Sequence, residues 1–363
     1  MQAPEHRTNG QTGQDTATFG GCPMPIRNQD TVQLGHGSGG IMSNELISEI
    51  FVSSLQNTYL NELDDCVHLP VGGEKIAFST DSYVVDPIFF PGGDIGDLAV
   101  NGTVNDLSMR GARPLFLSLA VILEEGFPLV DLRRIVDSIH TAASRANVQV
   151  VTGDTKVLNR GKGDKIFINT SGIGVLERDI AISAGNLRHG DAIIVSGGLA
   201  EHGMAILSKR EGLAFETSFV SDTAALNALV ATILDTGGCS VHAMRDPTRG
   251  GVAATLNEFA TASSVGIQMI QDRIPVKPAV SGACEFLGID PLYVANEGKV
   301  VIAVESSRSE EVLRVMRTHP LATDSVIIGH VVDQNPGMVT MSTAIGGSRI
   351  VDMMVGEQLP RIC

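Results

Sequence analysis

Apolar residues at Leu46, Ile47, Ile50 and Phe51 recur at helical spacing within SNELISEIFVSSL, which predicts a helix over 43–55. KIAFSTDSYVV (75–85) reads as a strand. DIGDLAVNGTVNDLSMRG (94–111) reads as a helix closed by Gly111, with Pro114 just beyond. The continuous apolar run LFLSLAVIL (115–123) predicts a buried strand. Residues 129–145 place Leu132, Ile135 and Ile139 on one helical face, and VQVVTGD (148–154) and KIFINTSGIGV (165–175) are strands. A turn-rich stretch, ERDIAISAGNLRHGD (177–191), precedes a second start. There DAIIVSGGLAEHGMAIL (191–207) predicts strand, Gly-Gly turn and helix. RDPTRGGVAATLNEFATAS (245–263) predicts a loop entering a helix, and further strands are expected over 292–304 and 325–333. The class is mixed α/β, with mixed sheets and helices. The divisions are a loosely ordered leader (1–31), a first domain (32–180), a second (181–347) and a weakly patterned, mobile tail (348–363).

Composition narrows the function. A chain of 363 residues that is 43% hydrophobic can bury two cores. A net charge of -15 argues against nucleic acid or an anionic membrane as the main partner. Five cysteines, an odd number with no CxxC, read as reduced thiols in the cytoplasm rather than a disulfide framework. No run of the sequence is long and apolar enough to span a bilayer. The polar leader lacks an apolar secretory core, and its Cys22 reads as a free surface thiol. The last residue, Cys363, is unlike these. A CaaX lipidation signal needs three residues after the cysteine, so prenylation does not explain it.

Aspartate stands where it is costly. Asp81 (FSTDSY) and Asp154 (TGDTK) sit in or just after apolar strands. Asp106 shares a helical face with Ile95, Ala99 and Gly102. Asp64, Asp65 and Asp246 (RDPTRGG) extend the set. Each alone is compatible with a cap or a buried ion pair. Together, with few Lys and Arg nearby, they suit a hard cation that shares its ligands with phosphate. GHGSGG (35–40) before a helix is either a phosphate cradle or a tight turn. It is not a Walker A loop, since no Lys-Ser/Thr follows. Glu297 in VANEGKV is either a partly desolvated base or a surface turn residue. Lys156 meets a phosphate or pairs with Asp154. His36, His202 and His242 lack ligand spacing and read as structural or peripheral.

In this order, LDDCV, FSTDSY, GTVNDLSMRGARP, TGDTK and RDPTRGG resemble the superfamily of aminoimidazole ribonucleotide synthetase, selenophosphate synthetase and thiamine-monophosphate kinase. RDPTRGGVAATLNE, VANEGK and the terminal PRIC narrow the resemblance, over about 32–363, to the hydrogenase-maturation carbamoyl dehydratases. Cys66 stands where relatives usually have Ala. The resemblance implies a two-domain synthetase-like fold, a homodimer, and ATP with Mg²⁺ as cofactors. It also implies that Cys363 is a substrate carried on the enzyme's own tail. A HypF-like carbamoyltransferase loads it, ATP-dependent dehydration makes a thiocyanate, and a HypC–HypD-like iron-carrying complex receives the cyanide for [NiFe]-hydrogenase. Implied roles are catalytic for Cys363, Glu297 and Lys156. Asp81, Asp106, Asp154, Asp246, Gly39, Gly40 and Asn105 are expected to bind the cofactor. Asp65, Asp81, Asp106, Asp154 and Asp246 are expected to hold metal. A sister activity, selenophosphate synthesis, uses a Cys or selenocysteine and a Lys in the N-terminal glycine loop, and GHGSGGIM has neither. A carrier without catalysis is the remaining alternative.

Overall fold

The apolar runs at 115–123 and 165–175 become neighbouring strands at the heart of a five-stranded sheet. The computed structural model describes residues 32–55, 57–72, 74–213, 219–356, 359 and 361–363. The leader over 1–31, with Cys22, lies outside the described residues. Leu34–Cys363 form one compact unit.

The helix expected over 43–55 is interrupted. It runs as α1 (Ile41–Leu46), a π-helical turn (Ile47–Val52) and α2 (Ser53–Leu55). Ser48 and Ser53 donate back to the carbonyls of Asn44 and Glu49, a bond that loosens and bends a helix. Ile47, Ile50 and Phe51 face outward.

Next come β1 (Val67–Val71), β2 (Glu74–Tyr83), the short β3 (Phe89–Phe90) and β4 (Gly93–Asp94), and α3 (Ile95–Met109). They are followed by β5 (Arg113–Glu124), α4 (Leu129–Ala146), β6 (Gln149–Leu158) and β7 (Ile166–Val175). The first sheet has the order β1-β2-β7-β5-β6, antiparallel except for the parallel pair β5–β6. Asp94 caps α3, accepting from the amides of Gly96 (2.8 Å) and Asp97 (3.2 Å). Every residue of α3 except Asp97 and Asp106 is buried, so this helix is enclosed on all sides rather than amphipathic. One face of the sheet packs Leu117 and Ile168 against Leu98 and Val104 of α3 and Ile135 of α4. Among the described residues, no helix covers the other face. Register and alternation place Phe78, Phe116, Ile122 and Ile173 on it, each 38–40% exposed.

The second half contributes β8 (Ala192–Val195), α5 (Glu201–Arg210), α6 (Asn227–Gly237), β9 (Val241–Arg245), α7 (Gly251–Ser263), β10 (Gly266–Ile270) and α8 (Pro278–Leu287). It ends with β11 (Val301–Val304), α9 (Ser306–Met316), β12 (Val326–Val332), β13 (Val339–Ser342) and β14 (Ser348–Ile350). Its mixed sheet has the order β14-β13-β10-β12-β8-β11-β9. Ile193 and Val195 face α7, while Ala192 and Ile194 face α6 and α9, so both faces are covered. That burial explains the unbroken apolar sequence of β8 and β11.

Two expectations change here. Only Val301–Val304 of the strand expected over 292–304 is a strand. Before it, Asn296 replaces sheet pairing: its Oδ1 accepts from Ala200 N (2.8 Å) and its Nδ2 donates to Pro247 O (3.1 Å). The residues assigned to the tail begin with β14, which pairs with β13 from Thr340↔Ile350 to Ser342↔Ser348.

Candidate active site

Five acidic side chains converge from separate elements. Asp65 comes from the turn before β1, Asp81 from β2 on its helix-facing side, and Asp106 from α3. Asp246 comes from the loop between β9 and α7, and Glu297 from the extended segment before β11. Ser79 donates to Asp106 Oδ2 at 2.8 Å. The cluster is short of positive charge. Burial and the neighbouring charges of Asp246, Asp81 and Asp65 hold the Asp106 carboxyl well above the usual range. Burial pushes Asp246 up to about 8, with Asp65 adding to it. It pushes Asp65 up to about 6 against the pull of Arg245. Asp81 is raised by burial and opposed by Arg249. Arg245 is engaged by Asp65 (2.8 Å) and Glu258.

Glu297 is the most constrained of the five. It is 3% exposed, and its Oε1 has no hydrogen-bond partner among the described residues. Burial and the charges of Asp246, Asp222 and Asp81 hold its carboxyl well above the ordinary value, with Arg249 pulling down. Its backbone is pinned at both ends. Its N–H donates to Asp222 Oδ1 (3.1 Å), and its carbonyl accepts from Asn105 Nδ2 (3.2 Å). Gly298 allows this close packing, since a Cβ there would lie 1.7 Å from the Asp222 carbonyl oxygen.

No three carboxylate, histidine or cysteine side chains among the described residues form a ready metal cage. The donor set still fits Mg²⁺. It is all oxygen and over-crowded with negative charge, and Mg²⁺ is ordinarily held by one or two carboxylates together with substrate phosphates.

The tail folds inward. Cys363 lines a cavity of about 200 Å³ with Leu34, Gly37, Val84, Arg249 and Tyr293. Burial raises the thiol's pKa. Arg249 opposes the shift, and Glu297, Asp81 and Asp246 add to it. The docked thiol is therefore protonated and a poor nucleophile.

The structure thus gathers Asp65, Asp81, Asp106, Asp246, Glu297 and Cys363. It does not bring Asp154 and Lys156 to them. Both lie on the open face of the first sheet, paired with each other (Nζ–Oδ2 2.8 Å) with side chains 60% and 68% exposed. Asn105 is buried and engaged by protein, its Nδ2 donating to Ala224 O and Glu297 O and its Oδ1 accepting from Leu226 N. In the glycine loop Gly39 has φ +74°, and a Cβ on Gly40 would lie 2.2 Å from the carbonyl oxygen of Met354. Ile41 N donates to that same oxygen at 2.9 Å, so the loop receives the tail. Sequence reasoning missed Arg249, although it stands three residues after Asp246 in the same RDPTRGG motif. It also set His202 aside, and His202 touches the tail.

Residues 63–176 match the family described as AIR synthase related protein, N-terminal domain, and 188–341 match its C-terminal domain. The chain is 51% identical over 332 residues to carbamoyl dehydratase HypE of Rhizobium leguminosarum bv. viciae, covering 92% of this chain and 95% of the relative. Among solved structures it resembles a HypE chain in a HypE–HypF complex (TM-score 0.82, 50% identity, 85% of this chain and 99% of that one). It also resembles a HypE solved in complex with ATP (TM-score 0.78, 48% identity, 92% and 100%). A chain that carries both synthetase-related halves and aligns with nearly the whole length of these proteins at such identity belongs to the HypE carbamoyl dehydratase family.

Proposed function

We propose that this protein is an ATP-using carbamoyl dehydratase in hydrogenase maturation whose substrate is the thiocarboxamide on its own Cys363. The observation that carries the reading is the seating of a half-buried Cys363 in a cavity near the carboxylate cluster and Glu297, whose Oε1 has no hydrogen-bond partner among the described residues. The reaction converts –S–C(=O)NH₂ to –S–C≡N. The amide oxygen attacks the γ-phosphoryl group of ATP, ADP leaves, and the oxygen departs as phosphate. Both N–H protons are lost along the way. Phosphoryl transfer needs positioning and charge neutralisation above all, and Mg²⁺ held by Asp65, Asp81, Asp106 and Asp246 would supply the latter.

Glu297 is the base in this scheme. Its raised pKa makes it strongly basic toward a weakly acidic amide once it is ionised, and Arg249 favours that ionised form. Carriage on the tail makes the step intramolecular. Because the docked thiol stays protonated, loading by a HypF-like carbamoyltransferase requires the tail to swing outward. The same outward pose suits delivery of the cyano group to a HypC–HypD-like complex. We further propose a homodimer formed through the open, apolar face of the first sheet. Asp154 and Lys156 lie on that face, so they can serve nucleotide only where another copy meets it. Domains divided near 180 and a cytoplasmic location complete the reading. No helix among the described residues is long and apolar enough to cross a membrane.

The test is ATP turnover on the carbamoylated protein. Turnover to ADP and phosphate in proportion to the carbamoyl load, absent in Cys363→Ala, supports the dehydratase. Tight ATP binding without turnover on a fully loaded protein refutes it and leaves a carrier.

A further inference from the structure

We infer that His202 and Arg210 are positioning residues that grip the backbone of the docked tail and tie its docking to the placement of Glu297. The inference rests on the reading of Cys363 as a carried substrate.

Each of the last three carbonyls of the chain meets a donor. Arg361 O accepts from Arg210 Nη2 (2.8 Å) and Asp86 N (3.2 Å). Ile362 O accepts from His202 Nε2 (2.9 Å), and Cys363 O accepts from Val84 N (3.2 Å). The Arg361 side chain adds an ion pair with Asp164 and donates through Nε to Val84 O at 2.9 Å. Arg210 is itself fixed by donating through Nε to Asp86 O at 2.8 Å. The carbonyl contacts read backbone, and none of the contacts involves the thiol, so they hold the tail in one register whatever the thiol carries.

His202 extends the grip inward. The ring is fully buried against the edge of Phe90, and burial lowers its pKa and keeps it neutral. With Nε2–H donating to the tail, Nδ1 accepts from the Ser221 hydroxyl (2.7 Å), and Ser221 Oγ accepts from Thr223 N (3.1 Å). The same short segment supplies Asp222, which accepts from Glu297 N and pairs with Lys299 Nζ (2.9 Å). It also supplies the Ala224 carbonyl, which shares Asn105 with the carbonyl of Glu297. One short segment, 221–224, thus links the tail's receptor to the segment that aims the base.

The test uses the full chain and alkylates its thiols without nucleotide, following each by peptide mass spectrometry. Exposed Cys239 is the internal standard, and Cys284, buried in the α8 core, reports intact folding. In His202→Phe and, separately, Arg210→Met, Cys363 should react roughly three- to tenfold faster, the scale set by one lost hydrogen bond, with Cys239 unchanged. Arg210→Lys, which retains a donor, should lie closer to wild type. On carbamoylated protein both disruptive variants should lower kcat for thiocyanate formation and leave KM for ATP unchanged, a split that general destabilisation does not produce. Wild-type Cys363 reactivity in both variants overturns the grip. The two readings fail separately. A wild-type protein that forms no thiocyanate, with variants that expose Cys363, refutes the dehydratase and keeps the grip. A wild-type protein that forms thiocyanate, with variants indistinguishable from it, refutes the grip alone.

Discussion

Glu297 is a carboxyl held where its charge is costly, with one oxygen unpartnered among the described residues and neighbouring acids that repel it. Such a group is retained for chemistry more readily than for stability. Glu297→Gln preserves shape and removes the proton acceptor. It should still accept a carbamoyl group and bind ATP, while thiocyanate formation falls by about 10²–10⁴, the usual worth of a positioned base. Thiocyanate yield at the wild-type rate would remove Glu297 from the mechanism. The cluster also sets a pH dependence. Asp246 rises from 3.8 to about 8 on folding, so above 3.8 the unfolded chain releases a proton that the folded chain keeps. Its stabilising contribution is complete below 3.8 and is lost as pH climbs through about 8. His68, His202, His319 and His330, depressed by burial, act oppositely up to about 6.5. The window is therefore pH 6.5 to 8. Metal-free, nucleotide-free protein should lose thermal stability across it, and Asp246→Asn should flatten that slope. A wild-type midpoint that rises across the window would contradict the charge crowding.

Two irregular segments that meet closely deliver the site. The segment before β11 and the segment 221–224 approach so closely that Gly298 has no room for a methyl group, with 1.7 Å to the Asp222 carbonyl oxygen. Gly298→Ala should cost about 1–3 kcal/mol in denaturant unfolding, as overpacking does, and should abolish thiocyanate formation by moving Glu297. Unchanged stability and activity would mean that the approach is looser than described. This junction was partly legible in the sequence. The motifs NEGK, VNDL and RDPTRGG marked Glu297, Asp106 and Asp246 because acids among glycines and apolar residues demand a partner. Asp222 and His202 stood in no such pattern. Their roles arise from contacts between residues 75 and 160 positions apart, which periodicity does not register. Local pattern predicted β2, α4 and β7 well, since each repeats one period over ten or more residues, and α3 was marked by its length and its close at Gly111 and Pro114. It failed over 292–300, where side chains rather than a neighbouring strand satisfy the backbone. It also overlooked β14, whose three residues are too few to show a period.

At the scale of the whole molecule, one sheet is covered on both faces and the other on one. The exposed face carries Phe78, Ile173 and Phe116 side by side toward one end and Ile122 toward the other, apolar side chains of the kind that meet a partner. If the proposed homodimer forms through this face, Ile173→Asp should turn it into monomers by sedimentation and lower ATP turnover, since Asp154 and Lys156 would then lose the facing copy. A wild-type chain that sediments as a monomer would set the homodimer aside without touching the chemistry at Cys363. That chemistry is the central claim, and the mass of the Cys363 peptide tests it most directly. Carbamoylated protein given Mg²⁺ and ATP should lose the mass of one water from that peptide and no other, at the rate phosphate appears. A carbamoyl group that stays intact on Cys363 while ATP is consumed, or a water lost from a different peptide, would contradict it.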